Sequence, residues 1–154
     1  MRTLDARNAF VMTTLLQEVT RSGTAARAQG TLMRADIYGK TGTTNDSMDA
    51  WFAGWHASVV AVVWIGFDNP KKLGDRETGG GLALPVWIEY MAQALKGVKL
   101  KEAVPPDGVV NAGGAWVYEE HAHGAGIGSL GLDEKAPAPP TEEERKGILD
   151  LFRN

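Results

Sequence analysis

The chain has 154 residues, 44% hydrophobic and 23% charged, with a net charge of −3 at pH 7. This suits one soluble globular domain with a buried core, and its slight acidity gives no basic field to draw in nucleic acid. Cysteine is absent, which excludes disulfides, thiolate nucleophiles and sulfur-ligated metals.

Near the N-terminus, Phe10, Val11, Leu15, Leu16 and Val19 recur at helical spacing, predicting an amphipathic helix over residues 6–20, capped by Asp5 and stopped at Ser22-Gly23. A further short helical turn is expected at "TAARA". "RADIYGKTGT", "DAWFAGWH" and "SVVAVVWIGFD" read as three strands, rich in β-branched and aromatic residues. The last two are joined by a very short connection near His56, which is expected at the surface. "DNPKKLGDRETGGG" reads as a long polar loop. It leads to a helix over "LPVWIEYMAQALKG" that starts with Pro85 and stops at Gly97, with Trp87, Tyr90, Met91, Ala94 and Leu95 as its buried stripe.

The expected fold class is therefore α+β, an antiparallel sheet with helices packed on it. Residues 1–100 form the folded lobe, and residues 101–154 a Gly/Pro-rich tail with short strands. A small terminal helix is expected there, opened by a capping box of Thr141 with Glu144. The N-terminal "MRTLDARNAF" lacks a signal-peptide core, and the longest apolar run, Val59 to Phe67, is too short to cross a bilayer.

The stretch "YGKTGTTND" carries the chemistry, and it has two readings. Gly39-Lys40-Thr41 ends like a phosphate-binding loop, but such a loop needs a glycine five positions before Gly39, where Arg34 stands. The residues after Thr41 are also poor helix starters. The second reading is Lys40-Thr41-Gly42 on a strand at the edge of a cleft. There a lysine supports a serine's proton network, threonine hydroxyls bind a carboxylate, and the glycine lets an extended ligand lie along the strand.

Three letters alone are weak, but the longer pattern around them is far more specific. "GKTGTTNDSMDAWFAGW", "VVWIGFDNP", a Gly-rich loop and "ALPVWIEYM" resemble, in order and spacing, the last part of the transpeptidase domain of class A (bifunctional) penicillin-binding proteins. The resemblance implies a partial transpeptidase-like fold, the C-terminal lobe only. It also implies a role in peptidoglycan synthesis: serine acyl transfer on D-Ala-D-Ala stem peptides, with β-lactams as trapping analogues. Lys40 matches the catalytic lysine, and Thr41 and Thr43 match the binders of the stem-peptide carboxylate. The Thr43 N–H matches an oxyanion-hole donor, with Gly42 between the threonines and Thr44 shaping the strand end. Asp49, Trp51 and Phe52 match a "DAWF" strand expected to pack. No metal or organic cofactor is implied, and the parent would work on the periplasmic face of the bacterial inner membrane.

The family also requires Ser-x-x-Lys and Ser-x-Asn. Ser22, Ser47, Ser58 and Ser129 are followed three residues later by Ala25, Ala50, Ala61 and Leu132, and none has asparagine two residues on. The chain is therefore expected to begin partway through such a domain, to need the upstream half as a partner, and to be inert alone. Its uncovered strand edges and apolar face should favour self-association. The rival reading is a non-catalytic module that binds carboxylate-bearing peptides through the same residues. "EEHAH" invites a zinc reading through His121 and His123, but no third ligand can be assigned, and a solvated stretch is expected.

Overall fold

The structure, a computed structural model, describes residues 3–122. The chain divides after Glu119 into two compact units, and the first holds all the α-helices and strands among the described residues. Helix α1 (Ala6–Arg21) is capped by Asp5, whose carboxylate accepts the amides of Arg7 and Asn8. Helix α2 (Ala26–Leu32) extends the expected single turn and ends on Met33 in the left-handed conformation.

Three strands come next: β1 (Tyr38–Thr43), β2 (Ala50–His56) and β3 (Val59–Ile65), in the order β1-β2-β3 and antiparallel throughout. Strand β1 is shorter than the sequence suggests because its partner β2 ends at His56, one step beyond the Tyr38–Trp55 pair, so the residues before 37 have nothing to pair with. A single π-helical turn, Gly79–Ala83, takes the end of the expected loop and runs directly into helix α3 (Leu84–Ala94). The mixed helix and antiparallel-sheet class is the one the residue pattern predicts.

Alternation along β2 and β3 decides the core. Phe52 is fully buried, and Val63, Ala61 and Val59 point the same way, partly buried against the core cluster. Trp87 of α3 packs edge-on against Phe52 with ring centroids 4.9 Å apart and donates its indole N–H to Ala61 O at 3.1 Å. Gly54 permits this, since a Cβ there would lie 2.7 Å from both rings.

The buried stripe of α3 is Leu84, Trp87, Ile88 and Met91, continued by Leu95. Tyr90 is a correction: it is 54% exposed, because residues 84, 87, 88, 91 and 95 already fill the face toward the sheet and residue 90 falls beyond its flank. Across the sheet, Trp51, Trp64, Val60 and Val62 are exposed. After α3 the chain forms a hairpin of β4 (Val109–Ala112) and β5 (Ala115–Tyr118) through Gly113-Gly114. It joins α1 through an edge-on contact of Phe10 with Trp116 and through Arg7 over the Tyr118 ring. The expected terminal helix at Thr141 and Glu144 lies outside the described residues.

Candidate functional site

Strand β1 is an edge strand, paired only with β2 among the described residues. The register sets Gly42 opposite Trp51 and Thr43 opposite Ala50, and one step on the Thr44 amide donates to Asp49 O at 3.1 Å. Antiparallel pairs alternate between hydrogen-bonded and open. With Thr44/Asp49 a bonded rung, Thr41 and Thr43 occupy open positions, so their N–H and C=O groups point away from β2 to the free edge. Lys40 agrees with this: its ammonium donates to Thr41 O at 2.8 Å.

The side chains are ordered along that edge. Thr41 Oγ1 lies 2.9 Å from Thr24 Oγ1 at the α1–α2 junction and 3.5 Å from Lys40 Nζ. Thr43 Oγ1 accepts the Gly79 amide at 3.1 Å. Its oxygen is thus held while its proton stays available to an acceptor such as a carboxylate. Gly42 and Gly79 permit close approach of backbone: a Cβ on Gly79 would lie 2.3 Å from Trp51 O and 2.5 Å from Gly42 O. The π-helical turn is therefore seated directly on the β1–β2 ladder. Thr44 sits at the strand end with its hydroxyl turned to Asp49.

This edge can be set beside known proteins. No protein-family profile matches the chain. Penicillin-binding protein 1A of Neisseria flavescens is 45% identical over 146 residues, covering 94% of this chain and 18% of the relative. The Neisseria cinerea protein of the same name is 42% identical over 153 residues, covering 97% and 19%. That of Pseudomonas aeruginosa is 51% identical over 110 residues, covering 71% and 13%. The crystal structure of penicillin-binding protein 1A from Haemophilus influenzae matches with a TM-score of 0.68 and 34% identity, over 72% of this chain and 18% of that one. The chain is homologous to penicillin-binding protein 1A. It spans less than a fifth of the length of these penicillin-binding protein 1A relatives.

Within this penicillin-binding protein 1A homologue, one polar cluster has no counterpart in the sequence motifs. Asp36 is fully buried and receives a two-pronged ion pair from Arg34, Nε to Oδ1 at 2.9 Å and Nη2 to Oδ2 at 2.8 Å. Its Oδ2 also accepts the Lys101 amide at 2.7 Å and faces His56 Nε2 at 3.1 Å. Burial pushes the Asp36 carboxyl up, but the Arg34 guanidinium, the Lys101 amide and His56 outweigh it and hold the group at about 2.

His56, expected at the surface, is 3% exposed. It ends β2 on the core side, and burial there is tolerable because both ring nitrogens are engaged. Ser58 Oγ lies 2.9 Å from His56 Nδ1, which gives the order Ser58–His56–Asp36 of a catalytic triad. The Ser58 backbone amide also donates to that Nδ1, at 3.2 Å, and Asp36 is committed to Arg34 and Lys101. The arrangement closes the β2–β3 turn. Arg34 further holds Val98 O and Lys99 O, so the cluster ties the segment after α3 to the root of β1.

Among the described residues no three His, Asp or Glu side chains gather as a metal site, and no helix is long and apolar enough to cross a membrane. His123 of the considered zinc pair lies outside them.

Proposed function

We propose that residues 38–49 form the Lys-Thr-Gly side of the acyl-transfer site of a peptidoglycan D,D-transpeptidase, the target of β-lactams. The carrying observation is the ladder phase of β1, which turns the N–H groups of Thr41 and Thr43 to a free edge beside the Lys40 ammonium. An extended peptide ending in D-Ala-D-Ala lies along that edge as an added strand. Its terminal carboxylate accepts hydrogen bonds from the Thr43 and Thr41 hydroxyls, with Lys40 supplying positive charge.

The reaction runs by attack of a serine on the carbonyl between the two D-alanines, and the charge that develops on its oxygen accepts the Thr43 N–H. D-Alanine then leaves, and an amine of a neighbouring strand takes the acyl group. Lys40 stands in the proton network of that serine. Ser22 and Ser58 bond to Glu18 and His56, and no serine of the chain stands in a Ser-x-x-Lys pattern. The nucleophile therefore comes from sequence outside this chain, on the periplasmic side of the bacterial inner membrane. The same absence favours a second reading for the chain by itself: reversible binding of carboxylate-bearing peptides with no covalent step.

The test is a titration of the 15N-labelled chain with diacetyl-L-Lys-D-Ala-D-Ala, followed by intact mass after exposure to a penicillin. Shifts centred on the Thr41 and Thr43 amides, abolished by Lys40→Ala with Thr43→Val, and an unchanged mass are expected. Shifts spread evenly over the chain, or a penicillin adduct on Ser58, would overturn the proposal.

A further inference from the structure

Asp49 sits at the mouth of β2, and the sequence marks it only as part of a packing strand. Its contacts say more. Its backbone amide donates to Thr44 Oγ1 at 2.8 Å, and that hydroxyl donates to Asp49 Oδ2 at 3.3 Å. Its other oxygen, Oδ1, accepts the indole N–H of Trp64 at 2.8 Å from β3. With the Thr44 amide on Asp49 O, three hydrogen bonds join the two residues across the last rung of the ladder, and a fourth anchors them to the third strand.

The chain that this rung closes is strained. Asp46 and Ser47 both have left-handed backbone, with φ of 60° and 53°, which L-residues with side chains adopt at a cost. The four residues 45–48 carry that cost only while the rung is closed, so opening it would relieve them. If that rung opens, the residue just before it loses its fixed direction, and that residue is Thr43. The rung is further stiffened from the open face. Trp51 stacks at a tilt on Trp64 with centroids 6.0 Å apart, and a Cβ on Gly42 would lie 3.3 Å from the Trp51 Cβ. Gly66 leaves room for Trp64 and Asp49 together, since a Cβ there would lie 2.5 Å from the indole and 2.7 Å from Asp49 Oδ1.

We propose that Asp49 is a positioning residue for the proposed acyl-transfer site: through Thr44 and Trp64 it fixes the last rung of β1–β2, and so the direction in which the Thr43 N–H is presented. This rests on the reading of β1 as the Lys-Thr-Gly edge. Thr44 accordingly serves the site through its bond to Asp49, since its hydroxyl both accepts from and donates to that residue. The hydrogen bonds of Asp49 go to Thr44 and Trp64 and those of Lys40 to Thr41, so Asp49 acts through the rung.

Hydrogen exchange of the full chain without any ligand tests the positioning directly. Asp49→Ala and Thr44→Val are each expected to speed exchange of the Thr44 amide at least about tenfold, and the double variant no more than the larger of the two, because both remove one coupled unit. Thr44→Ser, which keeps the hydroxyl, should retain wild-type protection. Amides in the middle of β2, such as that of Phe52, should be unchanged; a merely destabilising substitution would accelerate them together with Thr44. The peptide titration then links rung to site, with Asp49→Ala weakening binding at the Thr43 amide about fivefold or more. Unaltered Thr44 exchange in Asp49→Ala, or acceleration shared equally by Phe52, would overturn the inference. Wild-type protection with no peptide shift at Thr43 would instead sink the reading of the edge, leaving the exchange result to decide the rung.

Discussion

Removing the Asp36 carboxylate should be among the most damaging single changes in the lobe. Asp36 is fully buried and takes two bonds from Arg34, one from the Lys101 amide and one contact with His56. Taking one partner out of a buried ion pair costs about 3–5 kcal/mol, because the remaining charge is left without compensation. For a chain of this length that corresponds to a fall of roughly 10 °C or more in Tm.

The charge itself can be separated from the packing by pH. The Asp36 carboxyl falls from 3.8 to about 2 on folding. A depressed carboxyl stabilises the fold fully above its unfolded value, and the contribution is lost as pH falls through the folded value. The difference between 3.8 and about 2, at 1.36 kcal/mol per unit, gives about 2 kcal/mol. Urea unfolding of wild type and Asp36→Asn should therefore show a gap that is full near pH 5, narrows below about pH 4, is small at pH 2 and closes only near about pH 1. The Lys101 amide should exchange faster in Asp36→Ala, because its acceptor is gone. A cost for Asp36→Ala below about 1 kcal/mol, or a gap that does not vary between pH 5 and pH 2, would refute the assignment of the cluster as a clamp.

Other substitutions probe the remaining packing. Gly79→Ala should cost about 2–3 kcal/mol and release the Gly79 amide from Thr43, since its Cβ would press on backbone oxygens of Trp51 and Gly42 that cannot yield; thermal unfolding and the Gly79 amide shift read both effects. Trp87→Ala should cost about 3–5 kcal/mol, whereas Tyr90→Ala on the same helix should stay within about 0.5 kcal/mol, which urea titration distinguishes. Ser47→Gly should stabilise by about 0.5–1 kcal/mol by relieving the left-handed backbone at φ 53°. A loss of stability in that variant would mean that the Ser47 side chain contributes more than its backbone costs.

The parts legible in the sequence are those with a local periodic signal. Helix α1 announces itself by apolar spacing and the Asp5 cap, the strands by β-branched runs, and α3 by Pro85 and its stripe. The Lys-Thr-Gly stretch is legible as a strand, because its β-forming residues are consecutive. Contacts assembled from distant positions are not. The clamp draws Arg34 with Asp36, His56 and Lys101 from three places, and none is unusual where it stands. His56 reads as a turn residue because nothing near it in sequence reveals the buried carboxylate it faces.

Similarly, Asp49 reads as packing because its partners Thr44 and Trp64 flank it on either side in sequence and meet it only in the folded sheet. The glycine triplet at Gly79 reads as a connector, since only the folded ladder shows what a Cβ there would strike. The β4–β5 hairpin is legible only as short strands, because its turn lies in a stretch where glycine and proline are common throughout.

The most direct test of the edge as half of a penicillin-recognising site is acylation of a chimera. The aligned 110 residues of the Pseudomonas aeruginosa relative are replaced by their counterparts from this chain, and labelling by a fluorescent penicillin is timed with and without Lys40→Ala. The chimera should be labelled, and Lys40→Ala should slow labelling by about 100-fold or more. A folded chimera that is not labelled, or one labelled equally fast without Lys40, would contradict the assignment of this edge.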